Sequence, residues 1–174
     1  LDSMREFYRL HSITRKHHGS PPQPYSFFEN IYHSLILKGF GFVSLATYRD
    51  IYVAGAVFLH FGKKAIIKYS GSKREWQHVR ANNLIWWQAI KWYHEKGYKY
   101  LSFGRTDSES ESLRTFKTGW APKEEMISYY RYDFKADGFV KNNTEISAHY
   151  TSVCKRMPQP MFKLIGGLLY RHIG

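Results

Sequence analysis

A single cysteine, Cys154, stands in the 174 residues. An internal disulfide and a multi-cysteine metal site are thereby excluded, and a reducing compartment is the default expectation. No run reaches the ~18 apolar residues that a membrane-crossing helix needs. No basic-then-apolar segment opens the chain, so no signal peptide is visible. Nine histidines are scattered without an H-E-x-x-H pattern, the His17-His18 pair lying in a polar stretch before Pro21-Pro22, so no metal is expected. The G-x-S-x-G elbow of nucleophilic hydrolases is missing, and Cys154 sits in a polar, basic segment with no matched histidine. Acidic residues are the scarce charge: 14 against 26 Lys and Arg, a net charge of +12. The excess is local, with ten Lys or Arg against two acidic residues from Lys63 to Arg105. Such a stretch favours polyanions, whether nucleic acid, nucleotide phosphates or an anionic lipid surface; the plain alternative is a solvated basic face. The length suits one domain that buries about 70% of its unfolded surface. Because the chain opens on Leu1, it is expected to be a piece of something longer.

Periodicity reads Leu1 to His18 as a helix, with Met4, Phe7, Tyr8 and Ile13 at partial helical spacing, broken by Gly-Ser-Pro-Pro-Gln-Pro. Ser26 with Glu29 fits a capping box for a second helix that carries Ile31, Tyr32 and Leu35 and stops at Gly39. From Phe40 the pattern changes to β-branched and aromatic runs, GFVSLATY, IYVAGAVFLHF and KAIIKYS, the signature of an antiparallel meander. A helix from Asn82 to Glu95 and the short strand KYLSF then suggest a parallel crossover. On that helix Ile85, Trp86, Ala89, Ile90, Trp92 and Tyr93 share one apolar face, while Leu84 and Trp87 fall on the polar side. Ser108 and Glu111 offer a capping box for a helix ending near Thr118, and Met126 to Phe134 reads as a final strand. The expected architecture is α/β with a mixed sheet over residues 1–136. Residues 137–174 form a polar segment, NNTEIS included, and a basic amphipathic tail, MPQPMFKLIGGLLYRHIG.

Several runs on these elements carry a resemblance. They are Ala54-Gly55, the basic turn Gly71 to Arg74, Gly97, Phe103-Gly104-Arg105 and above all Leu113-Arg114-x-Phe116-Lys117-x-x-Trp120. On them, from about Phe7 to Tyr132 and more weakly through the tail, the sequence resembles the FemAB-like branch of the GNAT (acyl-CoA N-acyltransferase) superfamily. The resemblance implies a GNAT-like fold and transfer of an acyl or aminoacyl group to an amine, usually on a cell-envelope precursor of peptidoglycan or polysaccharide type. It implies acyl-CoA or aminoacyl-tRNA as co-substrate; the cysteine and histidine usage adds the expectation of no metal and a cytoplasmic location, and the tail that of the inner face of the membrane. Proteins of this type often carry two GNAT-like halves, of which this chain would be the carboxy-terminal one. Phe116-Lys117 match the Phe-Lys pair of the peptidoglycan-bridge enzymes, whose lysine is thought to contact the reacting ester or its developing oxyanion. Ser102, Gly104 and Trp120 are the matching cleft positions. Ser102 stands where many relatives have aspartate, and Ala121 where glycine is usual. Ordinary GNAT acetyltransferases set a Gly-rich loop before the middle helix so that backbone N–H groups approach the CoA pyrophosphate. Here that position reads GSKREWQHVRANN, with Gly71 alone, and Lys73, Arg74 and Arg80 are the candidates to reach phosphate through side chains.

The residues themselves leave two roles open for Lys117. One is a preorganised cation for an oxyanion beside the aromatic wall of Phe116; the other is a helix-terminal cation with Gly119 taking the cap. Arg105, after a strand end and a glycine, is a candidate for phosphate or a substrate carboxylate, or a surface arginine pairing with Asp107 or Glu109. His60, His78 and His94 read as structural or exposed, so no general base stands out. Two noncatalytic readings remain beside the enzyme. In one, Trp76, Trp86, Trp87 and Trp92 among basic residues make an RNA-binding module. In the other, the tail, with Lys163, Arg171 and His172 among apolar residues, lies on an anionic membrane surface; its packing on the sheet or on the missing half is the competing expectation.

Overall fold

The computed structural model describes residues 1–107, 110–140 and 148–170. Two compact units emerge, one of Leu1–Gly104 with Ala148–Gly174 and the other of Arg105–Ser147.

The first unit opens with helix α1, Asp2–His18, whose Met4, Phe7, Tyr8 and His11 fall at i, i+3, i+4 and i+7 and are all buried. Helix α2, Tyr25–Ile31, runs into a π-type turn at Tyr32–Ile36. The Ser26–Glu29 capping box does not form: Pro24 is the N-cap, so Ser26 already lies inside the first turn and is exposed. The meander follows as β1, Gly41–Tyr48, β2, Ile51–Phe61, and β3, Lys64–Ser72, paired antiparallel. A 3-10 segment, Arg74–Val79, leads to α3, Ala81–Glu95, and the chain crosses over to β4, Tyr100–Ser102, parallel to β3. The order β1-β2-β3-β4 gives the expected mixed sheet.

Strand β2 is buried at every residue from Val53 to Phe58, because both sheet faces are covered. On one face α1 and α2 build a core of Met4, Phe7, Tyr8 and Phe28 on Val57. On the other, α3 buries Ile85, Trp86, Ala89 and Tyr93 while Leu84 and Trp87 stay exposed, as its periodicity predicts. Phe42 bridges Phe58 and Trp92 there, with ring centroids 4.9 and 5.1 Å away. The seat of α1 is made by two glycines. Gly55 and Gly71 are cross-strand partners. A Cβ on Gly55 would stand 3.3 Å from Cδ2 of Phe7, and one on Gly71 only 2.5 Å from the backbone nitrogen of His11. One helical turn, Phe7 to His11, thus lies directly on bare backbone.

The tail folds as α5, Ala148–Arg156, and α6, Gln159–Leu169, against α1.

The second unit holds α4, Glu111–Thr118, and a hairpin of β5, Arg131–Asp133, and β6, Gly138–Val140. The N-cap of α4 is Ser110; Ser108, expected to open a capping box, lies outside the described residues, as does NNTEIS. The strand expected over Met126 to Phe134 is reduced to β5. Its aromatic residues have high strand propensity, but that propensity acts through a paired neighbour, and the hairpin pairs only Arg131 to Asp133. Asp133 fixes the turn by accepting the N–H groups of Lys135 and Ala136.

Candidate active site

In the first unit the feature with chemical potential is where β3 and β4 part. Their pairing covers Lys64 with Tyr100, Ala65 with Leu101 and Ile66 with Ser102, then stops, although β3 continues to Ser72. From Ile67 onward no described strand pairs with that edge of β3; α1 meets it instead, with Thr14 bonded to the N–H and C=O of Ser72 and His11 Nδ1 3.3 Å from the Ser70 carbonyl. A register shift lies here too: Val57 faces Tyr69 and Phe58 faces Ile67, so Lys68 is an extra, bulged residue. On the β4 side, the hydroxyl of Ser102 accepts the Gly104 N–H at 3.2 Å, and Gly104 takes a φ of 70°, which favours glycine. A serine therefore makes the turn bond that an aspartate could also accept. Phe103 packs on Trp86 with ring centroids 4.8 Å apart. An apolar groove of about 660 Å³, lined by Leu35, Phe40, Leu59, Phe61 and Ile66, reaches Ser102.

At the far end of β3, Lys73, Arg74 and Arg80 stand on the connection into α3. Arg80 is its N-cap, so the unpaired first-turn N–H groups of α3 adjoin this basic connection. Gly71, the one glycine of the stretch before α3, belongs to β3 and makes room for α1. Arg74 also meets His17 from the end of α1, Nη1 to Nε2 at 3.2 Å. Sequence reasoning did not join His17 to these cations; the signal was the run Arg15-Lys16-His17-His18 closing a helix whose last residues pack by β3. Thr14 ties the two elements, its hydroxyl accepting the Ser72 N–H at 2.8 Å.

The histidines near this sheet are engaged. His60 lies 2.9 Å from the Gly39 carbonyl through Nε2 and 3.2 Å from the Tyr93 hydroxyl through Nδ1. His11 is buried among Phe7, Phe28 and Tyr69, with Ser70 and Gln23 at its ring nitrogens, and burial holds it below the usual histidine range. Among the tryptophans proposed to stack on bases, Trp86 is buried and Trp76 packs on Tyr48 at 5.3 Å. Only Trp87 offers much free face, and Lys91 stands over its ring at 5.7 Å. Among the described residues no three His, Cys, Asp or Glu side chains gather.

In the second unit the structure brings Lys117 to the segment that leaves β4. Its ammonium donates to the Arg105 carbonyl at 3.1 Å and to the Thr106 hydroxyl at 2.7 Å. Half-buried in α4, it is held below the usual lysine range by desolvation. Both acceptors lie outside the last turn of α4, so a helix-dipole role alone does not account for the geometry. Thr106 was missed in the sequence, where it ends the run LSFGRT. Phe116 and Trp120 are half-buried on the same short segment. Arg105 places its guanidinium 5.2 Å over the Tyr129 ring, with Nε 3.8 Å from Asp107, the surface pairing that its sequence position left open. Arg114 holds Glu124 through two bonds of 3.1 and 2.8 Å. Gly119 follows α4 with φ −58°, in the right-handed region, and the left-handed residue is Ala121 at φ 51°. Substitution Ala121→Gly is therefore expected to stabilise this unit by about 0.5–1 kcal/mol, strain relief exceeding the entropy cost of glycine. Denaturant melting of both forms checks it.

A meander crossing over through a helix to a parallel strand, with pairing lost beyond three residue pairs and cations on the connection, defines an N-acyltransferase type of fold. The chain belongs to the acetyltransferase (GNAT) domain family, whose model matches residues 1–118. No curated protein matches it. Among solved structures, FemX is 20% identical with a TM-score of 0.62, over 68% of this chain and 48% of FemX. This chain thus spans about half the length of FemX. An aminoglycoside acetyltransferase, meta-AAC0020, from an uncultured soil metagenomic sample and bound to sisomicin, is 16% identical with a TM-score of 0.59, over 75% of this chain and 87% of its own. AAC(6')-Iy, bound to the bisubstrate analogue CoA-S-monomethyl-acetylneamine, is 10% identical with a TM-score of 0.61, over 76% and 92%.

Proposed function

We propose that the chain is the carboxy-terminal half of a FemAB-like N-acyltransferase that forms an amide from an activated acyl or aminoacyl donor. The parting of β3 from β4 carries this reading, because it opens the sheet beside a bulge and ahead of a connection that bears Lys73, Arg74 and Arg80. The CoA-derived ligand of AAC(6')-Iy supports acyl-CoA as donor; aminoacyl-tRNA is the second donor class. In the reaction the amine lone pair attacks the acyl carbonyl, the C–N bond forms and the C–S or C–O bond breaks. The ammonium proton leaves to solvent or to the departing thiolate or alkoxide. In the second unit Lys117 supplies positive charge to the developing oxyanion and Phe116 walls it from water, with Trp120 on the same segment; in the first unit Ser102 and Gly104 shape the end of β4. Lys73, Arg74 and Arg80 bind donor phosphates, with Arg105 as a further anion contact. The acceptor is an amine of a cell-envelope precursor, and the work is cytoplasmic.

Calorimetric titration with acetyl-CoA at low salt tests the donor site. Micromolar binding is expected, falling at least about tenfold when Lys73, Arg74 and Arg80 are changed together to glutamine, since each loses a charge-assisted bond. Absence of binding to both acetyl-CoA and an aminoacyl-tRNA would end the reading.

A further inference from the structure

The tail presents two different faces. Inward, Phe162 and Cys154 are buried, and Gly166 abuts Pro22 so closely that a Cβ would stand 2.1 Å from its carbonyl oxygen. The inner surface of α6 is thus committed to packing. Outward, Met161, Leu164 and Leu168 fall at i, i+3 and i+7 and are 55, 65 and 53% exposed. A continuous apolar stripe facing away from the body marks a contact surface.

Along α5 and α6 the charge has one sign. From residue 148 to residue 170 there is no Asp or Glu, while Lys155, Arg156 and Lys163 are present. The basic end of α1 borders the same flank: Arg15 donates to the Tyr170 hydroxyl at 3.4 Å, just past α6. A Cβ on Gly19 would stand 2.6 Å from Thr151, which sets α5 beside that end, and burial first, then the charges of His17, Arg15 and Lys155, hold His18 below the usual histidine range. Lys163 lies along the packed side, its ammonium 5.0 Å from the Tyr8 ring centre. Among the described residues no helix is long and apolar enough to cross a membrane, so the stripe does not belong to a span.

We infer that α6 is an interfacial anchor, laying Met161, Leu164 and Leu168 into the surface of an anionic phospholipid bilayer while Lys155, Arg156 and the α1 terminus meet the headgroups. The two components explain each other: an apolar stripe alone would suit a protein partner equally well, but a stripe on basic helices that carry no acid matches anionic lipid. The inference is independent of catalysis, because its readout is binding alone.

Vesicle co-sedimentation of the chain tests it, comparing phosphatidylcholine alone with a mixture containing about 30 mol % phosphatidylglycerol. Binding to the mixture only is expected, weakened by salt and reduced at least about tenfold by Leu164→Gln with Leu168→Gln and by Lys155→Gln with Arg156→Gln. Circular dichroism checks folding of the variants, and the salt series on the unchanged chain stands without them. No sedimentation with anionic vesicles, or equal sedimentation of the leucine variant, overturns the anchor. So does a dimer in solution that the leucine variant dissolves, since a second copy would then be the cover.

Discussion

Changing Lys117 to alanine in the complete protein is expected to lower amide formation by about two to three orders of magnitude, the scale of losing one preorganised oxyanion donor. The ammonium also holds the Arg105 carbonyl and the Thr106 hydroxyl, so the loss has a structural component that must be separated. Thr106→Val removes one of those bonds and keeps the charge. Turnover near wild type in Thr106→Val beside a collapse in Lys117→Ala identifies the charge as the active element. Wild-type turnover by Lys117→Ala removes Lys117 from the chemistry. The pH profile gives an independent reading. Desolvation lowers the lysine below its usual ~10.4, so a rate that needs the charged form declines as pH rises through that lowered value. Stability moves the other way. The unfolded chain holds this proton more tightly than the folded one, so between the folded and unfolded values stability rises with pH.

The second large effect is expected at Gly71. Gly71→Ala places a methyl 2.5 Å from the His11 nitrogen, and backbone in a helix cannot yield as a flexible side chain does. A loss of about 3 kcal/mol is expected, at the upper end of overpacking effects, measured by urea unfolding. A glycine that served phosphate would behave differently: its alanine variant would keep its stability and lose donor affinity. An unchanged unfolding midpoint would return Gly71 to the phosphate connection and undo the seat of α1.

The meander, the crossover helix and α1 were legible because each buries a face whose period is written in apolar residues, as in Met4, Phe7 and Tyr8 or in Ile85, Trp86 and Ala89. Boundaries set by a single local bond were less so. Ser26 promised a cap, but Pro24 fixed the start of the helix two residues earlier. Met126 to Phe134 had strand composition, yet composition does not supply a neighbour, and only three residues found one. At the candidate site, the run around Phe116 and Lys117 was singled out by resemblance, whereas the ammonium's partners, Arg105 and Thr106, depend on a turn after β4 that no periodicity encodes. Gly71 was read as the start of a basic turn, whereas it lies inside β3 under α1: a glycine looks the same in sequence whether it opens a turn or admits a helix. Ala121 shows the converse, since the departure from glycine was visible and its backbone conformation was not.

The glycine pair beneath α1 also bears on strand register. Neither Gly55 nor Gly71 forms a flat seat alone; the trough exists only when β2 and β3 meet in the register that sets them opposite each other. A slip by two residues would put Gly55 across from Tyr69 or Lys73, and a side chain would then fill the place of the helix. The seat of α1 is therefore complete only in this register, so the packing of the amino-terminal helix favours one strand alignment some fifty residues downstream over its slipped alternatives.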